Sequence, residues 1–504
     1  MSGDDEARAY VARGTAAILA RGLLSIFFGI VYFGYLARTV GAEGVATVSI
    51  ITMLYGLFSL ILLFAMPTVL QRFIAESVGR GDASTASALV GTGLRLSIIL
   101  GALSLAAGLL AAPFLSSYLF SGGEVLSLRL LAIAVATFIA NSLLTSIFFG
   151  FQLYQRYGLF SFLGTTWGQA VSIFLLIAGF GIPAFVMLWI VENVVVIVAL
   201  RAAMPKVPVD SAAPYPLLPL IAFSIPLFAS TFIPYLVSNV FIKIYILQTL
   251  TRGDLAAYEV ASRIIAIPKL YETTFLMALL PYLSKVFGVG GNTALGRGVG
   301  WSARFITLVF APILVGLALI AKPFFIIIFG PEFAGSIPLF LVLLSFALVS
   351  FLASPFILGL QALGKTKDIF VIQAAASWTC LGATILLSRF GIMGVTVGGE
   401  MLGLVTSLLS VYAFRQRIAA PMDVEAISMA RTLLPALAMV PPVYIVSLVL
   451  PQYRFVPLQV LVGVVMYLLV VRWLRLLSRE DLSTMSMMLP PRVGRFLMKI
   501  FGYE

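Results

Sequence analysis

Glu259, Arg263, Lys269 and Glu272 lie inside a single apolar run, LAAYEVASRIIAIPKLYETTFLMALLPYL. On an α-helix Glu259 and Arg263 stand about 40° apart and Lys269 and Glu272 about 60° apart on another side, so the run can form two separate ion pairs. Across the chain five cations fall in such runs, Arg21, Arg95, Lys243, Arg263 and Lys269, with four acids, Glu192, Glu259, Glu272 and Glu400. A charge at membrane depth costs at least about 2.5 kcal/mol, so each needs a partner, a wet cavity or the bundle interior. Two readings stay open for the run around Arg263. Its pairs are neutralised devices that fix helix packing, or Arg263 and Lys269 attract an anionic substrate while the glutamates tune them or carry a coupling cation. Arg21, Arg95 and Lys243 stand near the ends of their runs, where snorkelling to the headgroups competes with a cavity role. Glu192 and Glu400 are either a packing device shared by two halves of the chain or two proton-carrying sites.

Other chemistry is poorly supplied. The chain has no histidine and one cysteine, Cys380, which excludes a His/Cys metal site, a disulfide and a His-based triad; Cys380 reads as a packing residue. General acid/base catalysis wants converging carboxylates, and the loops on the outer side offer only isolated acids, Glu43, Glu124, Asp254 and Glu332. The chain is therefore expected not to be an enzyme, a membrane-embedded glycosyltransferase or polymerase being the weaker alternative. The net charge of +12 reads as a topology signal and not as a nucleic-acid surface.

These residues must be held by membrane helices. Of 504 residues 61% are hydrophobic and 10% charged, with a mean hydropathy of +1.10, against roughly a quarter charged in a soluble domain. That leaves an all-α polytopic membrane protein, with about 20 apolar residues per span. Fourteen spans are expected, at 15–37, 45–69, 88–112, 128–150, 159–179, 182–202, 217–246, 255–281, 301–321, 337–362, 369–388, 393–414, 432–450 and 455–475. An even number puts both termini on one side. With the termini in the cytoplasm, the inner segments carry 21 of the 32 basic residues and the outer segments six, which fixes the orientation. The expected location is the cell (plasma or inner) membrane. The start, MSGDDEARAYVARG, has no small-residue cleavage site and predicts a retained first helix.

Matches recur in order at a nearly constant offset. Pro113-Phe114 returns as Pro323-Phe324, Gly150-x-Gln152 as Gly359-x-Gln361, Trp167 as Trp378, and Phe180-Gly181-Ile182 as Phe390-Gly391-Ile392. Six helices per copy give two lobes of one orientation, related by a pseudo-two-fold axis along the membrane normal. The expected domains are an N-terminal lobe at 1–208, a C-terminal lobe at 209–420, two extra helices at 421–477 and a basic amphipathic tail at 478–504 that lies on the membrane. Prolines 226, 234 and 268 interrupt spans seven and eight, which makes those helices gates or statically kinked.

The segments LARTVGAEGVATVSI, VLQRFIAESVGRGD and KPFFIIIFGPEFAGS, with the span number and order, resemble the polysaccharide-transporter branch (Wzx-like flippases) of the multidrug/oligosaccharidyl-lipid/polysaccharide exporter superfamily. The resemblance implies a flippase that moves a lipid-linked oligosaccharide from the cytoplasmic to the outer leaflet by alternating access. Its phosphate or pyrophosphate would meet a cationic cavity lined by Lys243, Arg263 and Lys269, while the lipid stays in the bilayer. It implies no cofactor beyond coupling to a proton or sodium gradient or the membrane potential. The partners implied are the lipid-linked glycan, membrane lipids and glycan-assembly enzymes, around a chain expected to work as a monomer. Related lipid II flippases carry paired arginines in the first helix, where this chain has Ile26 and Tyr32, so another glycolipid is the better expectation. The alternative is a cation-coupled multidrug antiporter, for which Glu192 and Glu400 would be the site.

Overall fold

A computed structural model describes residues 3–151, 153–204, 214–418, 426–450 and 452–476. The side chains of 3–27, 154, 155, 270, 271, 273, 274, 277, 278, 281 and 426–430 lie outside that description, as does the expected tail at 478–504. Among the described residues the chain is helical without strands, and fourteen long helical segments follow one another: α1 (3–40), α2 (42–79, interrupted by a left-handed turn at Phe64 and Ala65), α3 (Ala83–Phe120), α4 (Val125–Gly150), α5 (Tyr154–Ile177), α6 (Ile182–Ala202), α7 (217–249), α8 (252–290), α9 (292–319), α10 (Ser336–Ala362), α11 (Thr366–Leu387), α12 (Gly391–Ile418), α13 (426–449, with a turn at Met439) and α14 (Val456–Trp473). Eleven stretches of the described residues are long and apolar enough to cross a membrane. Three of them, Phe28–Leu63, Tyr282–Leu319 and Thr366–Ile418, each take in parts of two helices.

Helix ends follow local chemistry. The Asp82 carboxylate accepts the Thr85 amide at 3.0 Å and starts α3. Thr251 and Asp254 close a reciprocal capping box at the start of α8. Single glycines turn the chain where no loop intervenes: Gly41 (φ 66°) between α1 and α2, and Gly291 (φ 60°) between α8 and α9. This corrects the expectation of a loop over 282–300. The glycine-rich stretch there stays helical apart from Gly291, because Leu283, Leu295 and Val299 bury themselves against Phe356 and Phe414.

The duplication is visible in the backbone. Gly181 and Gly391 both adopt positive φ, 57° and 67°, at the equivalent turns before α6 and α12. Trp167 and Trp378 are both exposed on the flanks of equivalent helices. Close helix pairs recur as well. A Cβ on Gly168 would stand 2.7 Å from the Leu188 carbonyl of α6, and one on Gly398 2.5 Å from the Thr384 Cα of α11, so small residues let these backbones touch.

By packing, the chain divides into two compact units, Met1–Lys243 and Ile244–Glu504. The first takes in most of α7, past the 208/209 boundary of the repeat. Ser224 of α7 donates to Met66 Sδ (3.7 Å), Tyr235 donates to the Met53 carbonyl (3.0 Å), and Arg72 stacks over Phe223 at 4.3 Å. Within α7, Leu236–Phe241 winds as a π-helix just after Pro234, whose ring displaces the normal hydrogen-bond ladder.

Candidate functional site

In the second unit, α8 presents its charges along a well-capped helix. The Arg263 guanidinium donates through Nε to Glu259 Oε1 at 3.0 Å. Glu259 is 4% exposed, whereas the Arg263 side chain is 35% exposed, so the acid is sealed and the cation is reachable. The i,i+4 pair expected from the sequence is thus formed. About 20 residues of helix span the bilayer's hydrocarbon. From Asp254, at 1.5 Å per residue, Arg263 lies about 14 Å along α8 and Lys269 about 22 Å.

Lys269 and Glu272 are both half-buried. Lys269 is within electrostatic reach of two carboxylates, Glu272 on its own helix and Glu400 on α12. The sequence coupled Lys269 with Glu272 alone; α12 brings the second acid. Tyr258, buried beside Glu259, also faces Glu400 and Cys380. Cys380 is fully buried, its thiol donating to the Gly399 carbonyl at 3.4 Å. The cluster holds three carboxylates against two cations, so an anion reaching Lys269 must compete with Glu272 and Glu400.

In the first unit, Glu192 of α6 accepts the Thr165 hydroxyl of α5 at 2.7 Å. Beside it Asn193 accepts from the Asn141 amide at 2.8 Å and donates to Tyr55 at 3.5 Å, and Thr145 donates to Asn141 at 3.2 Å. Tyr55 stacks on Trp189 at 4.2 Å. This network joins α2, α4, α5 and α6. Sequence reasoning passed over Tyr55, Asn141, Thr165 and Asn193 because it searched for charge; the available signal was two asparagines inside apolar runs. Of the remaining expected cations, Arg95 is exposed on α3 and Lys243 is 7% exposed at the end of the unit. The Arg21 side chain lies outside the described residues. Tyr32 is 4% exposed and joined to Ser172 at 2.6 Å; because Ser172 donates to the Ala184 carbonyl, Tyr32 is the donor.

Two of the loop acids serve local structure. Asp254 caps α8, and Glu124 accepts the Ser127 hydroxyl at the start of α4. Farther along the second unit, α9, α13 and α14 border a half-open apolar cavity of about 370 Å³, lined by Ile313, Gly316, Met439, Val443 and Tyr467 with Gln459 among its polar groups.

The helices have the length and apolar character of a multi-pass membrane protein. An inward-facing multidrug resistance MATE family transporter of the MOP superfamily superposes with a TM-score of 0.67 at 16% identity, over 78% of this chain and 94% of that one. Lipid II flippase MurJ in an inward closed conformation gives 0.68 at 15%, over 91% and 99%. A MOP superfamily transporter from Pyrococcus furiosus Vc1, whose binding pocket has reversed polarity, gives 0.58 at 16%, over 82% and 96%. At these identities the likeness is one of fold. A family described as "Polysaccharide biosynthesis protein" matches residues 35–338, and the chain belongs to it. No curated protein matches the chain.

Proposed function

We propose that the chain is a flippase for a lipid-linked oligosaccharide, carrying it from the cytoplasmic to the outer leaflet of the cell membrane by alternating access, with both termini cytoplasmic. The observation that carries this reading is membership of a polysaccharide biosynthesis family by a chain whose membrane helices hold the Glu259–Arg263 pair and Lys269. A phosphate or pyrophosphate exchanges with carboxylate on Lys269 and takes up Arg263, while Arg21, Arg95 and Lys243 add positive potential along the path. The cavity bounded by α9, α13 and α14 has room and chemistry for a hydrocarbon chain. Glu192 and Glu400 supply coupling to a proton or sodium gradient. The glycan is delivered by glycan-assembly enzymes, and the chain acts as a monomer without catalysing a reaction.

The test is reconstitution in liposomes with a labelled lipid-linked oligosaccharide, following transfer between leaflets. Protein-dependent transfer that fails for the unlinked sugar is expected. Uptake of a cationic dye under an ion gradient, without lipid transfer, would move the chain to the second reading, a cation-coupled multidrug antiporter, which the Glu192–Thr165 bond favours.

A further inference from the structure

The second unit holds another concentration of cations, away from the charged cluster. Helices α8 and α9 form an antiparallel hairpin closed at Gly291, and no Asp or Glu occurs between Glu272 and Glu332, whereas Lys285, Arg297 and Arg304 do. Lys285 and Arg297 each stand six residues from the turn, so both lie about 9 Å from it. At 100° per residue, Tyr282 and Lys285 share one stripe of α8, and Arg297, Trp301 and Arg304 fall within about 60° on α9. The two stripes meet, because the Tyr282 and Trp301 rings are 5.9 Å apart. The ladder continues from Trp301 to Phe305 and from Phe305 to Phe275, each at 5.3 Å.

One face of the hairpin therefore runs from a level of cations through an aromatic level to Arg304 and then phenylalanines. That is the order in which a bilayer passes from headgroup to acyl chain. Tyr282, Lys285 and Arg297 are exposed. The other side of the hairpin is rigidly backed by Leu283, Leu295 and Val299 packing on Phe356, Leu360 and Phe414. Asp368, at the start of neighbouring α11, is held by two bonds from Arg417 at 2.8 and 3.0 Å, so it is committed elsewhere.

We propose that this face of the α8–α9 hairpin binds the phosphate headgroup of an anionic phospholipid, with Lys285 and Arg297 gripping the phosphate, Arg304 reaching toward it from two turns deeper, and Tyr282 and Trp301 flanking the glycerol. Charge complementarity and the interfacial order of side chains select a bilayer lipid as occupant.

The purified, delipidated full chain is offered phosphatidylglycerol or phosphatidylcholine, and bound lipid is counted by native mass spectrometry. The native chain should retain phosphatidylglycerol at least about fivefold better, the contribution of one cation at an anionic surface. The triple variant Lys285→Gln/Arg297→Gln/Arg304→Gln should lose that preference, while Lys365→Gln/Lys367→Gln/Arg415→Gln keeps it. Equal binding of the two lipids by the native chain, or an unchanged preference in the first variant, overturns the proposal. So does displacement of phosphatidylglycerol by millimolar inorganic phosphate, which would make this a free-anion site. Should the triple variant misfold, the native chain is compared with Trp301→Phe in vesicles. The fluorescence that Trp301→Phe removes should be quenched more by brominated phosphatidylglycerol than by brominated phosphatidylcholine, and equal quenching refutes the assignment.

Discussion

Arg263 and Glu259 divide one ion pair unequally, a sealed acid and a reachable cation, and the asymmetry sets the outcome of mutation. Arg263→Gln takes an ion-pair partner from a buried carboxylate and should cost about 1.5–3 kcal/mol of stability, while Glu259→Gln/Arg263→Gln recovers part of it; thermal unfolding in detergent measures both. Restored stability without restored lipid transfer would separate packing from transport. Charge reversal at Lys269 should abolish transfer, and unchanged transfer in Lys269→Glu liposomes would remove Lys269 from the path. Outside the membrane, hydrogen bonds from the Thr85 side chain and amide and from Ser84 hold the Asp82 carboxyl down at about 2. Because the folded value lies below the unfolded one, its stabilisation is present above about pH 4 and disappears as the pH falls through 2. Asp82→Asn should flatten that acid dependence, and amide exchange at Thr85 between pH 2 and 5 reads it. The Glu259–Arg263 pair was legible in the sequence since i,i+4 spacing fixes it within one helix. The meeting of Glu400 with Lys269 was not, because it depends on how α12 packs on α8.

Among the elements, helix pairs α5–α6 and α11–α12 depend on missing side chains. Gly168→Ala and Gly398→Ala push a methyl into neighbouring backbone and should each destabilise by about 1–3 kcal/mol. Gly382→Ala, with nothing within 4 Å of the new atom, should not lower the melting temperature, since alanine favours an unstrained helix interior. Hydropathy located the spans well, as each is set by about 20 apolar residues. It misjudged the connection from α8 to α9, where GVGGNTALGRGVG has the composition of a loop. Composition weighs local propensity, but here burial of Leu283, Leu295 and Val299 outweighs it. The polar network of Tyr55, Asn141 and Asn193 escaped for a related reason: uncharged residues barely alter a hydropathy window, yet their amides must be satisfied once buried.

At the scale of the whole molecule, two copies of a six-helix unit followed by two further helices were legible from repeated turns, since a positive-φ glycine such as Gly181 or Gly391 is hard to replace. The orientation rests on the distribution of basic residues and has a direct check. Cysteines introduced at Ser284 or Asn292, beside the α8–α9 turn, should react with a membrane-impermeant maleimide only in inverted vesicles; labelling confined to intact cells would turn the topology over. Cys380 bears on every such measurement. Its sulfur is fully buried and engaged with the Gly399 carbonyl, so the native chain is already a silent background for site-directed spectroscopy. A spin or fluorine label at one introduced position per half would report distances during turnover without first engineering away a native thiol.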